Sequence, residues 1–154
     1  PWRVAFALQA DGWILRSRIT WIKKTAMPES VKNRPSKATE EIFMFTKSTT
    51  YYYNPNGVRE QSGANLRNYW ILGSDGGGNG HPAAFPRELA SRCILLGSRE
   101  GDTVLDPFGG SGTTGLAARE HGRKAILVEL NPAYSELSKE RSNGKKARIK
   151  AVGS

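Results

Sequence analysis

Apolar and polar residues alternate through Ile14-Leu15-Arg16-Ser17-Arg18-Ile19-Thr20-Trp21, which predicts a strand over 14–23. The run before it, Trp2 to Gln9, reads as a short helix. A loop from Pro28 to Thr39 follows, and then Glu41 to Lys47 and Thr50 to Asn54 read as two strands paired across a tight turn at Ser48-Thr49. Residues 54–80 are rich in Gly and Asn and are expected to be loop, with one short element at Tyr69-Trp70-Ile71-Leu72. Beyond them the pattern predicts helices over Pro86–Leu96, Thr113–His121 and Pro132–Arg141. The strands between these helices are expected to complete one α/β sheet.

The stretch TVLDPFGGSGTTG, residues 103–115, joins a strand, a glycine loop and a helix start. Asp106-Pro107 ends the strand, the glycines crowd the turn, and the backbone N–H groups of such a turn and helix N-terminus make a nucleotide-type pocket. A second strand, Lys124 to Val128, closes on Glu129, 20 residues after Gly109. A carboxylate there can accept hydrogen bonds from both hydroxyls of a ribose. No Lys follows the loop as a phosphate-cradling loop would need, so a triphosphate ligand is disfavoured, and a nicotinamide dinucleotide is not expected either.

The string LDPFGGSGTT, preceded by HPAAFPRELASRCILLGSREGD and followed by GRKAILVELNPAYSELSKER, resembles the S-adenosylmethionine site of bacterial and phage DNA amino-methyltransferases. These enzymes methylate the exocyclic amine of adenine or cytosine. The likeness extends upstream through PWRVAFALQADGWILRSRITWIKK and MPESVKNRPSKATEEIFMFTKSTTYYYN, and so runs from Pro1 to about Arg141. It implies a Rossmann-like S-adenosylmethionine-dependent methyltransferase fold, incomplete at the N-terminus, in the permuted order where the catalytic half precedes the cofactor half. S-adenosylmethionine is then the cofactor, DNA the partner and restriction-modification the setting.

On that pattern residues 1–53 supply base-side strands and a loop, and 54–80 form a short target-recognition or linker region. Residues 81–142 form the cofactor half, and 143–154 a basic tail. The resemblance implies that His81, Pro82 and Phe85 lie along the methionine part of the cofactor. It places Asp106 near the amino acid moiety and Phe108 beside the adenine or sulfonium, with Gly110, Gly112 and Thr113 in the loop and Glu129 on the ribose. The family's catalytic tetrapeptide, an Asp, Asn or Ser followed by Pro-Pro-Tyr or Pro-Pro-Phe, is expected upstream of Pro1. The chain is therefore expected to be a fragment with no catalytic residue of its own. Asp106-Pro107-Phe108-Gly109 and Asn131-Pro132-Ala133-Tyr134 imitate the tetrapeptide, but the first belongs to the cofactor loop and the second reads as a helix cap followed by a first-turn proline.

Charge adds a partner class. The 154 residues carry a formal net charge of +9, which favours a polyanion. From Arg16 to Lys47 eight Lys or Arg face three Glu, with aromatics interleaved, and Arg18, Lys23, Lys32 and Arg34 are the candidate DNA contacts. Arg34, in the Pro-bounded loop, is the better functional candidate, while Phe43, Phe45 and Tyr52 read as strand core. A second basic run, Lys139 to Lys150, has six Lys or Arg and one Glu; Asn143-Gly144 ends the helix within it, and the remainder, KKARIKAVGS, reads as a fraying tail. The competing reading is a non-catalytic nucleic-acid-binding module with a vestigial cofactor pocket.

The single cysteine, Cys93, falls at helical spacing with Leu89 and Leu96 and is expected to be buried. One Cys excludes an internal disulfide and fits a reducing compartment. Two His and one Cys offer no metal-ligand spacing, so no metal is expected. His121 reads as a surface residue near a helix C-terminus. No apolar run approaches the roughly 20 residues that span a bilayer, so no membrane contact is expected and the cytoplasm is the expected location.

Overall fold

The computed structural model describes residues 1–26, 29–73 and 85–142. Helix α1 (Trp2–Ala10) leads into β1 (Ile14–Lys23), the centre of a three-stranded sheet. On one side β1 pairs antiparallel with β2 (Thr39–Thr46), and on the other it pairs parallel with β3 (Tyr69–Leu72). The register shifts once, between Leu15 and Ser17. A separate pair of parallel strands, β4 (Thr103–Asp106) and β5 (Lys124–Leu127), flanks α3 (Thr113–Glu120) in sequence. Helix α2 (Arg87–Gly97) precedes this unit and α4 (Pro132–Ser142) follows it.

Two expectations are corrected here. Thr50–Asn54 is not a strand, and β2 takes β1 rather than a hairpin neighbour as its partner. The tyrosines spend their polar groups otherwise: Arg16 Nε donates to the Tyr51 hydroxyl at 3.2 Å, and the Arg99 guanidinium lies 4.1 Å from the Tyr52 ring centre. Phe43 and Phe45 do lie in β2, half-buried, with Phe43 set edge-on against Trp2. The second correction concerns the sheet. Among the described residues the strands form two sheets, β2-β1-β3 and β4-β5, not one.

Helix α2 couples the two. Its Leu96 belongs to the cluster of Trp21, Trp70 and Leu72, with Leu89 packed against it, whereas Ala90 and Ile94 pack with Ala117 and Ala118 of α3. Phe85, just ahead of the helix, touches both clusters. Polar contacts reinforce the join: Arg87 and Glu120 are 2.6 Å apart, and Arg123 Nη2 donates to the Ser98 carbonyl at 2.7 Å. Under α2 a groove of about 420 Å³ opens between the helix and β4, lined by Phe85, Leu89, Cys93, Val104 and Leu105. Cys93 is thus exposed, against the expectation. The groove walls push its thiol up to about 11, so it is neither core nor a reactive thiolate.

Trp70 anchors the larger cluster. Its ring is 2 % exposed, and its indole N–H donates to the Arg67 carbonyl at 3.1 Å, so the buried polar atom is satisfied. Ile71, the next residue, is 51 % exposed because neighbours in a strand face opposite ways. Trp70→Ala should therefore cost about 3–5 kcal/mol in denaturant unfolding, and Ile71→Ala no more than about 1 kcal/mol. Equal costs would contradict this placement of the core.

Candidate functional site

The β4–loop–α3–β5 unit carries the candidate cofactor site. Asp106, the last residue of β4, accepts the Phe108 N–H at 2.9 Å through Oδ1 and the Thr114 hydroxyl at 2.6 Å through Oδ2. The carboxylate braces the loop from strand end to helix start. Gly112 precedes α3 with φ of +85°, a left-handed conformation that other residues rarely adopt. A Cβ there would also sit 2.3 Å from Ser138 Oγ, because α4 packs against the loop. Leu127 fills the other side, so closely that a Cβ on Gly109 or Gly115 would lie 2.9 Å from it. Thr113 is the first residue of α3, whose N-terminus has no side-chain cap, leaving first-turn N–H groups to a ligand.

Glu129 stands one residue beyond Val128, whose N–H is held by the Asp106 carbonyl at 2.9 Å. Its Oε2 accepts the Gly110 N–H at 2.8 Å, and its Oε1 accepts the Asn131 N–H at 2.8 Å. The loop and the end of β5 are therefore tied through one carboxylate. An ionised carboxylate offers about four lone-pair directions. These two bonds use two of them. Asn131 Oδ1 accepts the Ala133 N–H at 3.0 Å, which makes Asn131 the N-cap of α4 and supports the refusal of Asn131-Pro132-Ala133-Tyr134 as a catalytic motif.

Two apolar side chains near Glu129 are left open among the described residues. Phe108 is 86 % exposed and Leu130 is 96 % exposed. Leu130 went unnoticed in the sequence, where a Leu next to a strand reads as core; only its exposure makes it a candidate apolar contact. Phe85 is drawn into the two core clusters. His81 and Pro82 lie outside the described residues. The expectation against a nicotinamide dinucleotide draws no support from the glycines, because Gly110, Gly112 and Gly115 stand at the G-x-G-x-x-G spacing.

The basic candidates are mostly engaged. Lys23 Nζ lies 2.6 Å from Glu40, and Arg34 Nη1 lies 2.7 Å from Glu29, whose carboxyl is held below its usual range first by Arg34 and then by the Lys37 N–H. Arg18 Nε is 3.4 Å from Glu41 Oε2. Lys32 is exposed and has no ion-pair partner among the described residues. His121 caps the end of α3 half-buried, rather than on the open surface, with its Nε2 unpaired. No cluster of three metal-ligating side chains occurs among the described residues, and none of their helices is long and apolar enough to cross a membrane.

Comparison with known proteins gives one answer. The family model described as DNA methylase matches residues 2–140. The Type II methyltransferase M.Cfr9I of Citrobacter freundii is 46% identical over 153 residues, covering 97% of this chain and 51% of that protein. M.SmaI of Serratia marcescens is 45% identical over 147 residues, covering 92% and 50%. The chain thus spans about half the length of the curated relatives it matches. Among solved structures, the cytosine-N4-specific PvuII DNA methyltransferase superposes with a TM-score of 0.80 at 26% identity, over 91% of this chain and 55% of that one. The M1.HpyAVI–SAM complex gives 0.74 at 30% identity, over 90% and 67%. The fold is the Rossmann-like methyltransferase fold, and the chain belongs to the DNA methylase family.

Proposed function

We propose that this chain supplies the S-adenosylmethionine-binding half and part of the DNA-facing surface of an enzyme that methylates an exocyclic amine of adenine or cytosine in DNA. The observation that carries this reading is Glu129, tied to the glycine loop at Gly110 and flanked by bare Phe108 and Leu130. Glu129 holds the ribose, Phe108 and Leu130 enclose the adenine, and the Gly110–Thr113 turn lies against the remainder of the nucleoside. Asp106 acts mainly through the loop it braces, and His81, Pro82 and Phe85 are assigned to the methionine end by the family pattern alone. Bound S-adenosylmethionine supplies an electrophilic methyl group.

The acceptor needs activation from elsewhere. The lone pair of an exocyclic amine is delocalised into the base, so transfer requires side-chain and backbone oxygens that take up its hydrogens, and the base must leave the duplex at a cost of a few kcal/mol. The sequence contains no Pro-Pro pair and hence no Pro-Pro-aromatic tetrapeptide. We assign that chemistry to further sequence of the kind that relatives twice as long carry. The bare side of the β4–β5 pair supports this: Leu105 and Ile126 lie opposite each other, 62 % and 56 % exposed, with Val128 two residues on at 55 %. A face of that kind is normally covered. The same division assigns 1–53 to the base side, 54–80 to a small recognition region and 81–142 to the cofactor half.

DNA contact rests on the charge of +9 and on Lys32, the candidate with no carboxylate to surrender. Arg18, Lys23 and Arg34 would exchange a glutamate for a phosphate, a trade that gains little because exposed pairs are worth about 0–1 kcal/mol. The cytoplasm of a bacterial cell is the proposed location, where its DNA substrate lies.

Two measurements test the proposal. Titration calorimetry with S-adenosylhomocysteine should give a binding heat, and Glu129→Ala should weaken the affinity by about tenfold or more, as expected for loss of charge-assisted hydrogen bonds. A folded sample that binds nothing, or a variant with unchanged affinity, would overturn the site. Second, the 154-residue chain incubated with tritiated S-adenosylmethionine and mixed-sequence DNA should leave the DNA unlabelled. Label should appear once a segment carrying the tetrapeptide is supplied, and label without it would place the amine-activating group inside this chain.

A further inference from the structure

Helix α4 reaches the glycine loop at two points. Ser138 lies where a Cβ on Gly112 would be. One turn further on, Arg141 Nη1 donates to both the carbonyl and the hydroxyl of Ser111, each at 2.7 Å. Ser111 is the residue between the two left-handed glycines, Gly110 at φ +51° and Gly112 at φ +85°. Glycines at such positions give the turn its shape but leave it free to leave that shape, so something outside the loop must hold it.

The Arg141 guanidinium faces Ser111. It is part-buried, and burial, followed by the charge of Arg87, lowers its pKa from the ordinary value. Desolvating a cation costs unless hydrogen bonds compensate, and both acceptors at Ser111 are neutral. Helix α4 is in turn pinned at its end, where Arg119 of α3 donates to the Ser142 carbonyl.

We propose that Arg141 is a positioning residue for the cofactor loop, fixing Ser111 so that the Gly110 N–H stays on Glu129 and the nucleoside pocket is formed before the cofactor arrives. Its partner is 30 residues away in sequence, across α3 and β5. The loop is thereby held at both sides, by Glu129 at Gly110 and by Arg141 at Ser111. This rests on the function proposed above, since the loop's purpose is to receive the nucleoside.

Amide hydrogen exchange on the cofactor-free chain separates the two ideas. Arg141→Ala should speed exchange at Gly110 and Gly112 by about tenfold or more, as for loss of a charge-assisted bond. The β5 amides should keep wild-type rates. Ser111→Ala, which keeps the carbonyl, should give a smaller acceleration at the same two amides, and Arg141→Lys should recover part of the protection. In calorimetry Arg141→Ala should weaken S-adenosylhomocysteine in proportion. Unchanged exchange at Gly110 and Gly112 in Arg141→Ala overturns the proposal, as does acceleration spread evenly over β4, α3 and β5. Should Arg141→Ala fail to fold, Ser111→Ala decides alone: protection equal to wild type overturns the proposal, and selective acceleration supports it. Wild-type protein that binds no S-adenosylhomocysteine but shows the selective exchange effect would count against the cofactor reading and leave the clamp standing.

Discussion

One carboxylate holds the site together. Glu129 accepts the Gly110 N–H with one oxygen and the Asn131 N–H with the other, each at 2.8 Å, and so binds the loop after β4 to the chain leaving β5. Charge-assisted hydrogen bonds of this kind are about twice as strong as neutral ones. The rest of the unit is arranged so that they can form. Asp106 braces the loop from Phe108 to Thr114, Leu127 sits against Gly109 and Gly115, and Ser138 and Arg141 press from α4. Remove the acid and the loop keeps the Gly109 N–H on the Val128 carbonyl but loses its hold at Gly110.

Helix α2 does for the whole chain what Glu129 does for the loop. Its two faces feed the Trp70 cluster and the Ala117–Ala118 cluster, and no strand among the described residues bridges the sheets below it. The groove beneath it and the bare Leu105 and Ile126 are apolar surfaces that the described residues leave open.

Local signals read well from the sequence, and non-local ones did not. The strand over 14–23, the helices after Pro86, Gly112 and Asn131, and the acid at Glu129 were all visible, because turn glycines, caps and alternation act within a few residues. The hairpin at 41–54 failed because β-propensity does not choose a partner: β2 pairs with β1, and the tyrosine run forms no strand. Cys93 had the spacing of a core position, but what lies across from it is a groove. The pairing of Arg18, Lys23 and Arg34 with glutamates could not be seen in a charge count. Arg141 was missed for the same reason, since nothing in the sequence links it to Ser111.

The central claim is that a nucleoside pocket stands ready at the ends of β4 and β5. Its most direct test is a titration of the isotopically labelled chain with S-adenosylhomocysteine, followed by backbone amide chemical shifts. The account predicts that the amides of Phe108, Gly110, Leu130 and Asn131 move together and saturate with one affinity, while those of β1 and β2 stay in place. Shifts centred on the β1–β2 sheet, or scattered over the chain without saturation, would contradict it.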